Sequence, residues 1–94
     1  MSTRVVHCRK EQFDIYIGRR PGHIWGNPFL IGRDGTRDEV IAKYRGWIEA
    51  QPLLLEAIGQ LRGRVLGCWC KPLPCHGDVL AELADALTPE KEEP

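Results

Sequence analysis

The apolar positions of this chain change period several times, and each change marks an element. Arg4–Cys8 is short and β-branched at Val5 and Val6, which predicts a strand ending at His7 and Cys8. A polar turn, Arg9–Gln12, follows. Phe13–Gly18 then sets Ile15 and Ile17 against Tyr16, the alternation of a second strand. From Thr36 to Ala50 the period becomes helical. Val40, Ile41, Tyr44, Trp47 and Ile48 share one face, and Thr36 with Glu39 makes a T-x-x-E capping box. Pro52 ends that helix and opens another, filled by Leu53, Leu54, Leu55, Ala57 and Ile58 and stopped by Gly59 or Gly63. Val65–Cys70 returns to the strand period. Leu66, Cys68 and Cys70 fall on one face, Val65, Gly67 and Trp69 on the other. A last helix over Asp78–Leu87 buries Val79, Leu80, Leu83, Ala84 and Leu87, and Pro89 ends it.

Arg19–Gly35 holds four glycines and two prolines, which exclude a helix. It also holds Ile24, Trp25, Phe29, Leu30 and Ile31, so a loop packed onto the body is expected. The order is β-β-loop-α-α-β-α. Strands separated by helices favour parallel pairing with helices packed on the sheet. The expectation is a small single α/β domain over residues 1–89, mainly parallel and Rossmann- or flavodoxin-like, with a charged tail over 90–94. In such sheets ligands bind beyond the carboxyl ends of the strands. His7-Cys8 and Cys68-Trp69-Cys70 both fall there, provided that the Arg4–Cys8 and Val65–Cys70 strands are parallel neighbours.

Charge adds a local asymmetry to a chain of zero formal net charge. Residues 1–45 carry nine Lys and Arg against five acids, and residues 46–94 four against eight. No strong nucleic-acid signal follows, but a locally basic pocket for one anion does. No apolar run approaches a membrane span, and the N-terminus lacks the apolar core of a signal peptide, so a cytoplasmic location is expected. Thiols stay reduced there, which makes the four cysteines free, catalytic or metal-bound rather than a disulfide framework.

The densest chemistry lies in R-V-L-G-C-W-C-K-P-L-P-C-H-G-D, residues 64–78. Cys75 and His76 open the last helix, where backbone N–H groups lack partners and the dipole is positive. Cys75 is thus a candidate nucleophile with His76 or His7 as base. Gly77 would let an anion approach the backbone, and Asp78 sits in the first turn. Cys68 reads more simply as a small buried apolar residue. Cys68, Cys70, Cys75 and His76 would also make a Cys3His zinc set. Yet residues i and i+2 of a flat strand lie about 6.6 Å apart, whereas tetrahedral zinc wants sulfurs about 4 Å apart. A metal-free, cofactor-free fold is therefore expected. In W-G-N-P-F, Trp25 and Asn27 suit a flat ring by stacking and hydrogen bonding, with a packed loop as the plainer reading. Arg19, among the loop cations, would supply charge.

The segments V-V-H-C-R-K, Y-I-G-R, W-G-N-P-F, I-G-x-D-G-T-R-x-E-V-I-x-K-Y and V-L-G-C-W-C-K-P-L-P-C-H-G-D-V-L together resemble the bacterial and phage family called domain of unknown function 4326, from Val5 to about Leu87. That family name brings no activity, so no catalytic residue is carried over. The Cys-His segment opening a helix is also similar to domain of unknown function 488, whose members resemble small Rossmann- or flavodoxin-type proteins. The residues themselves lead to a polar site at one sheet edge, built from His7, Cys8, Arg19, Trp25, Asn27, Cys70, Cys75, His76, Gly77 and Asp78. The expected ligand is small, anionic or nucleotide-like. Three readings are open: an enzyme using Cys75 or His76, a non-catalytic binder that sequesters the ligand, and a zinc-stabilised interaction module. Oligomeric state is not legible.

Overall fold

A computed structural model describes residues 3–18 and 24–86. Arg19, Leu87, Pro89 and the 90–94 tail lie outside the described residues. Three short strands, β1 (Arg4–His7), β2 (Ile15–Tyr16) and β3 (Val65–Cys68), form one sheet in the order β1-β3-β2. Both outer strands run parallel to β3. Val5 pairs with Leu66 and His7 with Cys68, so the expected adjacency of the first and last strands holds in parallel register. The chain is a small α/β domain.

Three helices pack on one face: α1 (Arg37–Glu49), α2 (Pro52–Ala57) and α3 (His76–Ala86). The capping box forms as the T-x-x-E spacing predicts. Thr36 Oγ1 accepts the Glu39 N–H, and Glu39 returns a carboxylate to the Thr36 N–H. Val40, Tyr44 and Ile48 are the buried stripe of α1. The second helix is shorter than its sequence suggests. It tightens into a 3₁₀ turn over Ile58–Leu61, and Gly63, at φ +77°, turns the chain towards β3. The core gathers Ile17, Tyr44, Ile48, Ile58, Leu61, Leu66, Val79 and Leu80, so it lies between the sheet and the helices.

The other face of the sheet is covered differently. β1 and β2 are both outer strands, so Cys8–Asp14 must cross β3 from its carboxyl edge to its amino edge. Its ends are fixed there: the Cys8 N–H reaches Cys68 O at 2.7 Å, and the Asp14 N–H reaches Val65 O at 2.7 Å. Asp14 also accepts the Val65 N–H through Oδ2 at 2.8 Å. On the way the segment lays Phe13 onto Gly67. Doubly wound sheets carry helices on both faces. Here one face carries this strap, so the Rossmann- or flavodoxin-like expectation is met only as far as the parallel pairing. Among the described residues no helix is long and apolar enough to cross a membrane.

Candidate functional site

The site begins where β3 ends. Strand alternation turns Cys68 towards the helices, and the chain bends at Trp69 and Cys70 before it can continue as a strand. The following turn brings Cys75 to the residue before α3. There the Cys75 and Cys68 sulfurs stand 3.3 Å apart, both buried, at 2% and 1% exposure. Cys75 also acts as a thiol cap: its Sγ accepts the Gly77 N–H at 3.3 Å, and Asp78 Oδ2 accepts the Cys75 N–H at 3.1 Å. Asp78 Oδ1 pairs with Lys71 Nζ at 2.5 Å. Burial alone would lower the Lys71 ammonium, but this bond and the charge of Asp78 hold it above its ordinary value.

The two thiols titrate as a pair and in opposite directions. Cys68 is lowered to about 6, first by the hydrogen bond it shares with Cys75, against the cost of burial, and further by the Cys70 and Lys71 backbone N–H groups and the Lys71 charge. Cys75 is raised, by the same shared hydrogen bond and by burial. The helix start favours charge on Cys75, yet Cys68 gathers more donors. The direction of both shifts favours the thiolate on Cys68.

His76 is buried, and its Nε2 lies 2.7 Å from Ile17 O. A carbonyl only accepts, so Nε2 carries the proton and donates it. The ring stands edge-on to Tyr44, 5.0 Å between centroids. In turn the Tyr44 hydroxyl donates to Trp25 O at 2.8 Å. Burial and then Cys75 raise the Tyr44 phenol, so it stays protonated as a donor. These bonds make His76 and Tyr44 a buried brace between α3, α1 and the 24–31 loop.

Beside the thiols lies a pocket of about 100 Å³, walled by Gly18, Asn27, Arg37, Cys68, Trp69, Cys70, Cys75 and His76, with Ile31, Val40 and Ile41 as its apolar side. Bulk water occupies about 30 Å³ per molecule, so this volume suits a phosphate- or carboxylate-sized group. Arg37, the first residue of α1, stands in the wall and donates Nη1 to Pro74 O at 3.0 Å. Trp69 is 49% exposed; its Nε1 donates to Tyr16 Oη at 2.7 Å, and the Arg9 guanidinium lies 5.5 Å over its ring.

The expected residues thus divide. Asn27, Cys70, Cys75 and His76 meet at the pocket. His7 and Cys8 do lie at the same sheet edge, but outside this pocket. His7 Nδ1 accepts the Arg9 N–H and its ring meets Trp69 edge-on. Trp25 is only 6% exposed and packs in the core, which leaves no face for stacking a ligand. Asn27 caps its own turn: Oδ1 accepts the Phe29 N–H and Nδ2 donates to Val40 O. Gly77 is buried against Ile17 and Val5, where a Cβ would lie 2.7 Å and 2.9 Å from side-chain atoms, so its role here is close helix–sheet packing. Asp78 is a cap and an ion-pair partner. Cys68 and Cys75 meet, but Cys70 and His76 do not complete a Cys3His set with them. Among the described residues no group of three or more His, Cys, Asp or Glu side chains is placed to hold a metal ion.

Among the pocket residues that the sequence reading does not count in the site are Arg37 and Trp69. Arg37 reads as an ordinary first-turn residue until tertiary folding sets it beside Pro74. For Trp69 the signal was present: a large aromatic on the strand face opposite Leu66 and Cys68.

The fold and this edge define a small parallel α/β domain with a buried, hydrogen-bonded thiol pair beside a pocket at the carboxyl ends of its strands. The chain belongs to the family described as Domain of unknown function (DUF4326), which it matches over residues 3–86. It is 38% identical over 89 residues to an uncharacterized 12.4 kDa protein in the nrdA-td intergenic region of Enterobacteria phage T4, covering 89% of this chain and 79% of that protein. It is 35% identical over 86 residues to uncharacterized protein R718 of Acanthamoeba polyphaga mimivirus, covering 74% of this chain and 65% of that protein. The chain therefore spans less than two thirds of the mimivirus relative. No solved structure matches it.

Proposed function

We propose that this domain binds a small anionic ligand of the nucleotide or nucleoside-phosphate class, with the anionic group in the pocket beside Arg37 and the flat ring against Trp69. The observation that carries this reading is the composition of one wall. A guanidinium and an accessible indole stand together beyond the carboxyl ends of parallel strands. The small volume fits the anionic group alone, and the exposed indole offers a surface for the rest. The cytoplasm, where the thiols stay reduced, is the compartment this reading supposes.

Between binder and enzyme, the hydrogen bonds favour the binder. Both expected catalytic groups are committed within the fold: Cys75 Sγ bonds to Gly77 and Cys68, and the His76 Nε2 proton to Ile17. Sequestering the ligand needs nothing more of them. An enzymatic reading would rest on the Cys68 thiolate in the pocket wall instead.

Calorimetric titration with inorganic phosphate and a panel of nucleoside monophosphates tests the proposal. Binding should weaken by about 1.5–3 kcal/mol in Arg37→Ala, the scale of a charged hydrogen bond. Trp69→Ala should cost about 1–3 kcal/mol for a stacked base and leave phosphate binding intact. Absence of binding by every member of the panel would overturn it.

A further inference from the structure

Cys68 and Cys75 come from elements seven residues apart in sequence, the end of β3 and the cap of α3, yet their sulfurs touch at 3.3 Å. The sulfurs are bonded to each other, and Cys75 Sγ also accepts the Gly77 N–H at 3.3 Å. Neither is reachable from the general surface, but both form part of the pocket wall. A pair of cysteines packed only as apolar filler needs neither donors nor an opening. From this geometry we propose that Cys68 and Cys75 are a redox-active dithiol that exchanges with small disulfides entering through the pocket.

Cys68 lines the pocket and its titration is lowered, so it serves as the attacking sulfur. Its thiolate attacks one sulfur of a small disulfide. A bond forms between Cys68 and that sulfur, the substrate S–S bond breaks, and the first small thiolate leaves and takes a proton from solvent. Cys75 then gives up its proton and attacks Cys68 Sγ. The Cys68–Cys75 bond forms, the mixed disulfide breaks, and the second small thiolate leaves with the proton Cys75 released. The two protein thiols are oxidised by two electrons and the substrate disulfide is reduced to two thiols. Closing the bond requires the sulfurs to move from 3.3 Å to about 2.05 Å. The product ties the end of β3 to the start of α3. Cytoplasmic disulfides of this transient kind are catalytic or sensing rather than structural. The proposal does not require the ligand reading above, although a ligand held in the pocket would block entry of the disulfide.

The test uses the whole reduced protein with 2-hydroxyethyl disulfide. Unreacted thiols are then blocked with N-ethylmaleimide under denaturing conditions and located by peptide mass spectrometry. The expected product has lost two hydrogens in mass, with Cys68 joined to Cys75 and with Cys8 and Cys70 blocked by the maleimide. Cys75→Ser should trap the mixed disulfide on Cys68 at severalfold higher occupancy than wild type, because no resolving thiol remains. The wild-type peptide map decides the matter even if a variant fails to fold. Adducts accumulating on Cys8 or Cys70 with Cys68 and Cys75 still blocked as thiols would overturn the proposal. So would a Cys75→Ser adduct level equal to wild type.

Discussion

Gly67 lies directly beneath Phe13. A Cβ built on Gly67 would stand 2.6 Å from Phe13 Cγ, closer than real contacts allow. The absence of that Cβ lets the Cys8–Asp14 strap cross the sheet on its way to β2. Gly67→Ala should therefore destabilise the domain by about 1–3 kcal/mol, the range for overpacking. Phe13 is 37% exposed, so a smaller residue can yield there. The double variant Gly67→Ala with Phe13→Ala should lose much less stability than the two single costs added. Chemical denaturation of the three variants measures this coupling, and strict additivity would show that the contact does not constrain the strap.

Tyr44 anchors the loop that forms one side of the pocket. Tyr44→Phe removes the buried bond to Trp25 O and leaves that carbonyl without this donor. The expected cost is about 1–3 kcal/mol. Faster amide hydrogen exchange in residues 24–31 should accompany it, with exchange in β3 unchanged. Unaltered exchange in the loop would remove Tyr44 from this role.

The thiol pair has a pH signature. Cys68 is lowered from an ordinary 9.0 to about 6. A depressed folded value stabilises the fold above the unfolded pKa, and that contribution is lost as pH falls through the folded one. Cys75 is raised, so its contribution is present below the unfolded value and is lost as pH rises further. Thiol-linked stability should thus grow from about pH 6 towards pH 9 and decline above it. Thiolate absorbance near 240 nm should show one group titrating near pH 6. Cys68→Ser should abolish that step, and Cys75→Ala should move it upward by removing the largest favourable donor. A first thiolate appearing only above pH 8 in the wild type would contradict the pairing.

How far the sequence leads can be traced residue by residue. Thr36 and Glu39 foretell the start of α1 because a capping box is local. Val5, Val6 and the Val65–Cys68 run foretell the paired strands because their chemistry and the helical connection agree. Cys68 and Cys75 are both placed at the right edge by the strand end and the helix start, but neither the contact of their sulfurs nor the direction of their titration is local. Trp25 and Trp69 are equally aromatic in sequence. Only the packing of the 24–31 loop on Tyr44, against the bend after β3, buries one and exposes the other. Arg37 likewise becomes a pocket residue through Pro74, thirty-seven positions away.

The proposed ligand site is most directly tested by mapping it. Amide and indole NMR shifts of the isotopically labelled protein are followed while a nucleoside monophosphate is added, with inorganic phosphate as the control. The account predicts saturable shifts at Gly18, Arg37, Cys70 and the Trp69 indole N–H, with phosphate moving Arg37 but leaving the indole unchanged. Shifts confined to the opposite end of the sheet, or a spectrum unmoved by any of these ligands, would contradict it.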